Sequence, residues 1–217
     1  NVILDIVEII FIPGNVLMFN IPLHKDAKIN PTADGTLIRP TKVEKGYSID
    51  DEGVAKDYFA KDKDGEVYVN AVWPGDSHFP DFGRKEVRDW WANNHKILID
   101  MGVGGIWNDM NEPASFNGEL PLEVDFSFDG RQLYNEEAHN VYAEYMVKSL
   151  IGIYEKKNIR PYIFSRAAFA TTAKYSFVWN GDNASLWHHL KLSTPQMSIL
   201  LRHNLALQLS KHREISR

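Results

Sequence analysis

The run Gly105-Ile106-Trp107-Asn108-Asp109-Met110-Asn111-Glu112-Pro113 constrains the fold more than any other stretch of the chain. It begins apolar, as a buried strand does, and ends in two acids, two amides and a proline. Pro113 cannot continue a hydrogen-bonded ladder, so the strand stops there. A buried strand that ends at carboxylates is how parallel α/β barrels present reactive groups at the C-terminal ends of their strands. A solvated acidic loop is the plainer reading, but it explains poorly why Asp109 and Glu112 are interleaved with Trp107 and Met110.

The flanks repeat the same step. Over 85–101, Val87, Trp90, Trp91, His95, Leu98 and Ile99 form a helical apolar stripe. His95 lies on that stripe and reads as a hydrogen-bonded core residue rather than a ligand. Gly102, Gly104 and Gly105 suit the end of the helix. Beyond Pro113, residues 114–134 read as one long loop, a length usually reserved for function. Asn135 is the expected N-cap of a second helix, with Glu136 and Glu137 in its first turn and Lys156 and Lys157 at its end. A strand over 160–166 follows and ends at Arg166; a shorter one at 175–178 leads into Trp179-Asn180-Gly181-Asp182-Asn183 and another helix from Ser185. Asp182 alone reads most simply as a helix N-cap. Paired with Asp109, 73 residues earlier, it reads as a second carboxylate on the same rim, with Arg166 on a strand end between them. The pattern predicts strands side by side or next but one in a parallel sheet.

The earlier part of the chain is less regular. An apolar run to Ile12, stopped by Pro13-Gly14, and a second over 16–21 read as strands. The first lacks the layout of a signal peptide and is too short to span a membrane. Residues 25–40 are polar and turn-rich; 57–69 reads as a hairpin around Asp62-Lys63-Asp64-Gly65. In Trp73-Pro74-Gly75 and Phe79-Pro80-Asp81-Phe82, each proline enforces extended backbone before it. Trp73 on so stiff a loop serves either as a packing anchor or as a flat platform for a sugar ring. The net charge of −5 argues against nucleic acid or an anionic membrane as partner, and the absence of cysteine excludes disulfides and thiolate metal sites and suits a cytoplasmic location.

Three segments carry a resemblance to a known family. Gly-Ile-Trp-Asn-Asp-Met-Asn-Glu-Pro at 105–113 resembles the nucleophile signature of glycoside hydrolase family 31, the α-glucosidase and α-xylosidase family. Ile-Phe-Ser-Arg-Ala-Ala-Phe from Ile163, followed by Trp179-Asn180-Gly181-Asp182-Asn183, is similar to that family's acid/base segment, and the Trp-Pro-Gly passage at 73–75 to the approach to its nucleophile strand. The resemblance implies an α/β fold of the (β/α)8 TIM-barrel type and a retaining mechanism. Asp109 is then the nucleophile and Asp182 the general acid/base, the two about 5–5.5 Å apart, with the Asp182 pKa raised so that it holds its proton. It also implies that Arg166 contacts the bound sugar and helps keep Asp109 ionised. Trp73, Trp107, Met110 and Trp179 are substrate-binding by the same resemblance, the substrate is an α-linked, maltose-like oligosaccharide, and no metal or cofactor is required.

The resemblance covers residues 42–197; 1–41 and 198–217 do not continue it, and an early substrate-binding Asp segment of the family has no counterpart. A closed barrel of eight strands takes about 250 residues. The expectation is therefore an incomplete barrel that keeps the middle strands, has little or no activity when isolated, and is prone to self-association through exposed edges. The alternatives are a carbohydrate-binding relative without turnover and a truncated product without function; both aspartates being retained favours the enzyme.

Overall fold

The computed structural model describes residues 10–12, 16–18, 41–42, 47–72, 75–100, 105–128, 130–158, 160–178 and 184–199. Trp73, Trp179, Asp182, Gly102, Gly104 and the stretches 25–40 and 200–217 lie outside the described residues.

Strands β1 (Ile10–Ile12) and β2 (Val16–Met18) fall within the two early apolar runs read as strands, and they pair antiparallel with Phe11 opposite Leu17. Next come β3 (Thr41–Lys42), α1 (Ser48–Ala55), β4 (Val69–Val72) and β5 (Gly75–His78). The three strands form an antiparallel sheet in the order β3-β5-β4. A buried pair, His78 Nδ1 to Asp50 Oδ1 at 2.7 Å, joins this sheet to α1. The expected hairpin over 57–69 reduces to one antiparallel bridge, Lys61 opposite Val67, closed by a turn with Gly65 at φ +82°.

The chain then enters its parallel layer through α2 (Lys85–Asp100) and β6 (Ile106–Asn108). His95 is buried on α2, with Nδ1 2.7 Å from the Trp91 carbonyl, in keeping with a core role. The stretch 114–134 is not the single loop expected. It is two hairpins, β7 (Ala114–Ser115) with β8 (Gly118–Glu119) and β9 (Asp125–Phe128) with β10 (Arg131–Tyr134). Gly118 and Gly130 take positive φ at Asn-Gly and Asp-Gly steps, the residue pairs that tight hairpin turns prefer. The helix α3 (Asn135–Lys156) follows. Here too the sequence misleads: Asn135 is the first helical residue and not the cap, because its Nδ2 donates to the Leu120 carbonyl at 2.9 Å and ties the helix start to the loop between the hairpins.

Strands β11 (Ile163–Ser165) and β12 (Phe177–Val178) complete a three-stranded parallel sheet in the order β12-β11-β6. The strands leading to Asp109 and Asp182 are thus next but one, with the Arg166 strand between them. Burial alternates with the two-residue strand period. Ile106, Asn108, Ile163 and Ser165 are fully covered, whereas Trp107, Phe164 and Phe177 form a cross-strand row on the other face that is only partly covered. The covered face meets the helical layer, where α3 packs on β11 and α2 on α3. Gly105, at the entry to β6, must be glycine: a Cβ there would lie 2.6 Å from the Tyr162 ring and 3.1 Å from its carbonyl oxygen. The crossing from β11 to β12 carries only a 3-10 turn (Thr172–Lys174) in place of a helix. Buried Glu144 of α3 steadies it by accepting the Thr171 hydroxyl while pairing with Lys148 at 2.5 Å. These incomplete sheets are those of a partial barrel, the architecture expected from the sequence. No helix among the described residues is long and apolar enough to cross a membrane.

The β9–β10 hairpin is fastened to the segment before α2 by Asp81, whose Oδ2 accepts the Ser127 N–H at 2.7 Å. The crossing is so close that a Cβ on Gly83 would lie 2.2 Å from the Ser127 carbonyl oxygen. Aromatic edges fill the space beside it, with Phe82 packed 5.4 Å from Trp91 and 5.1 Å from Tyr142. Burial pushes the Asp81 carboxyl up to about 7, Asp125 adds repulsion, and the Ser127 and Gly83 N–H groups and Arg84 offset only part of this. The native state therefore keeps a proton that the unfolded chain releases near 3.8, so stability falls as pH rises between those values and levels off above about 7. Asp81→Asn removes this dependence. Urea titrations from pH 4 to 8 should show the variant gaining on the wild type by about 1.4 kcal/mol per pH unit inside that window. Parallel curves for the two proteins would contradict the buried, protonated Asp81.

Candidate active site

The site is built where β6 and β11 end together. Their register places Asn108 opposite Ser165, and the next step of the ladder continues with the Arg166 N–H donating to the Asn108 carbonyl at 3.0 Å. Asp109 and Arg166 therefore leave adjacent strands at the same height. Asp109 is 7% exposed, and its Oδ1 lies 3.0 Å from Arg166 Nη1. An ion pair so covered from water is worth more than a surface pair, though its desolvation costs much of the gain.

The residue after Asp109 turns the chain. Met110 has φ +51°, a left-handed conformation that a non-glycine residue adopts at a cost of about 1 kcal/mol and that persists where the surroundings impose it. Here its side chain is buried, and the Ala114 N–H donates to its carbonyl at 3.2 Å. The Glu112–Pro113 peptide is cis. The turn brings Asn111 and Glu112 back onto the end of β11. Asn111 is fully buried; its Nδ2 donates to Ser165 Oγ at 2.8 Å and its Oδ1 accepts the Ala167 N–H at 3.0 Å. Ser165 Oγ donates in turn to the Ala167 carbonyl at 2.7 Å. Glu112 takes the forked edge of Arg166, with Nε to Oε1 at 2.8 Å and Nη2 to Oε2 at 3.1 Å.

Two of the residues read from the sequence, Asp109 and Arg166, are thus in contact. Met110 is buried. It lies with Asp109 and Asn111 against the core residues Phe82, Tyr142 and Met146, around a crevice of about 10 Å³. That is room for about one water molecule. Trp107 points to the opposite, partly covered face of the sheet. Trp73, Trp179 and Asp182 lie outside the described residues. The end of β12, four residues before Asp182, is on the same rim as Asp109 and Arg166. The residues that sequence reading did not single out are Asn111 and Glu112. Both stand within the acidic run itself, but their partners are 54 or more residues away.

Known proteins are similar in the same segments. Residues 21–203 match the glycosyl hydrolases family 31 TIM-barrel domain. The chain belongs to glycosyl hydrolase family 31. Among family 31 relatives, Alpha-glucosidase 2 of Bacillus thermoamyloliquefaciens is 43% identical over 153 residues, which is 69% of this chain and 19% of that protein. Neutral alpha-glucosidase AB of Dictyostelium discoideum is 36% identical over 182 residues, 79% of this chain and 19% of that protein. The crystal structure of the glucosidase II alpha subunit in its Tris-bound form superposes with a TM-score of 0.60 at 31% identity, over 69% of this chain and 17% of that one. The chain thus spans about a fifth of the length of the curated relatives it matches.

The clamp at Asn111 can be tested apart from any chemistry. Asn111→Ala takes the acceptor from the part-buried Ala167 N–H and removes a buried bond to Ser165. Denaturant unfolding should show a loss of about 2–3 kcal/mol. A loss below about 0.5 kcal/mol would mean that the turn is held to β11 by other contacts.

Proposed function

We propose that this chain supplies the reacting carboxylates of a retaining α-glucosidase-type glycoside hydrolase acting on α-linked glucose at the end of an oligosaccharide. The observation that carries the reading is the buried Asp109 carboxylate ion-paired to Arg166 across two adjacent parallel strand ends. The family membership and the α-glucosidase names of its relatives support the substrate class.

In this reading Asp109 attacks the anomeric carbon and forms a glycosyl ester as the glycosidic C–O bond breaks. Asp182 gives its proton to the departing oxygen, then takes one from the water that hydrolyses the ester. Arg166 holds the nucleophile in its ionised form and a sugar hydroxyl beside it. Trp73, Trp107 and Trp179 supply apolar faces to the sugar rings. The three parallel strands among the described residues make up part of a rim, so turnover by the isolated chain is slow. The partly covered row of Trp107, Phe164 and Phe177 favours self-association at high concentration.

A single-turnover measurement suits a slow enzyme. Incubated with 5-fluoro-α-D-glucosyl fluoride, whose fluoride leaves with little help from an acid, the chain should gain the mass of one fluoroglucosyl group on the peptide that contains Asp109. Asp109→Asn should gain none, and Asp182→Asn should still be labelled but should release the sugar more slowly. Saturable maltose binding with no label on Asp109 would instead favour the carbohydrate-binding alternative, and neither label nor binding would remove the assignment.

A further inference from the structure

Glu112 stands outside the roles given above, yet its geometry is the most specific in the site. A guanidinium offers two forked edges to a carboxylate, Nε with Nη2 and Nη1 with Nη2. Glu112 occupies the first with both of its oxygens, at 2.8 and 3.1 Å. Two parallel bonds fix the plane of the guanidinium as well as its position. Arg166 Nη1 lies 3.0 Å from Asp109 Oδ1. Its main chain is held independently, by the bond from the Arg166 N–H to the Asn108 carbonyl. Glu112 thus holds the guanidinium end of the arginine and the ladder holds its backbone.

A structural tie between the nucleophile turn and β11 does not require this acid. Asn111 already makes that tie with two bonds of its own, from a fully buried position. The Glu112 side chain is 38% exposed and its removal leaves no buried group of its own behind. What its loss changes is the arginine. Without Glu112 the two bonds that set the guanidinium plane are lost, and with them the angle at which Nη1 meets Asp109.

We infer that Glu112 is a positioning residue: by holding the forked edge of Arg166 with both oxygens it fixes the plane of the guanidinium that faces Asp109 and so sets the orientation of the nucleophile. The inference rests on the glycosidase reading for its consequence, but its geometric part stands without it.

The test uses the full chain, as Glu112→Gln and Glu112→Asp, with two readouts. The first is the Arg166 Nε–H signal in 15N–1H spectra, identified with Arg166→Lys. In the wild type it should be resolved and protected from exchange with water. It should shift in Glu112→Gln and return toward the wild-type position in Glu112→Asp, which keeps the charge on a shorter arm. The second is the rate of fluoroglucosyl labelling of Asp109. Glu112→Gln should slow it about 100-fold, the order expected for a reacting group misplaced by about 1 Å, with little change in the half-saturating concentration of the reagent. Glu112→Asp should recover part of the rate.

An unshifted Nε–H signal in Glu112→Gln overturns the inference, as does an unchanged labelling rate. Equal losses in both variants accompanied by a lost far-ultraviolet helical signal also overturn it, since the acid would then be holding the fold. If the wild type is not labelled at all, the glycosidase reading fails, and the Nε–H signal alone decides the role of Glu112.

Discussion

The parallel pairing of β6 with β11 is the constraint on which the site depends. Its register sets Asn108 beside Ser165, and everything chemical follows one residue later, where Asp109 and Arg166 step out of the ladder together. A slip of one residue would turn either side chain to the other face of the sheet. The register is in turn fixed by burial. Ile106 and Ile163 have no exposed surface and pack against the helical layer, so a shift would place Trp107 and Phe164 there instead. Gly105 makes the approach possible, because any side chain would strike Tyr162 just where the two strands come together. A small glycine, two isoleucines and a ladder bond thus position the Asp109 carboxylate.

Much of this was legible in the residues. The apolar stripe of α2 and the strand that ends in acids were plain because both are local patterns with a fixed period. Counting the segments between Asp109 and Asp182 left their strands side by side or next but one, and the sheet order β12-β11-β6 has them next but one. Illegible parts depend on distant partners. Asn135 has the composition of a helix cap, yet its amide goes to Leu120, and nothing in the local run announces that. Glu112 looked like a second acid on a strand end, and its pairing with Arg166 spans 54 residues. The two hairpins in 114–134 are a different case. Asn117-Gly118 and Asp129-Gly130 are hairpin signals that could have been read, but the flanking strands are two to four residues long and show little alternation.

The two faces of the parallel sheet differ in a way that bears on stability. One is sealed by α2 and α3 and carries Asn108 and Ser165 without solvent contact. The other presents Trp107, Phe164 and Phe177, the last 40% exposed. In a closed barrel that inner face is filled by layers of side chains from the other strands. The three parallel strands among the described residues do not supply such layers, so the hydrophobic contribution there comes mainly from the helical side. The aromatic cluster of Phe82, Trp91, Phe126 and Tyr142 lies on that side, as does the Asp81 latch.

Charge at the strand ends has its own logic. Asp109, Glu112 and Arg166 sum to one negative charge within a single contact network. In the mechanism proposed for Asp109 the transition state has positive character at the anomeric carbon, and a net anionic site opposite that carbon favours it over the neutral ground state. Glu112 adds a second negative charge beside the pair of Asp109 and Arg166 and holds the guanidinium by its forked edge. A second acid three residues after the first, on a turn that Met110 bends back toward β11, gives the site a positioned cation without giving up its negative charge.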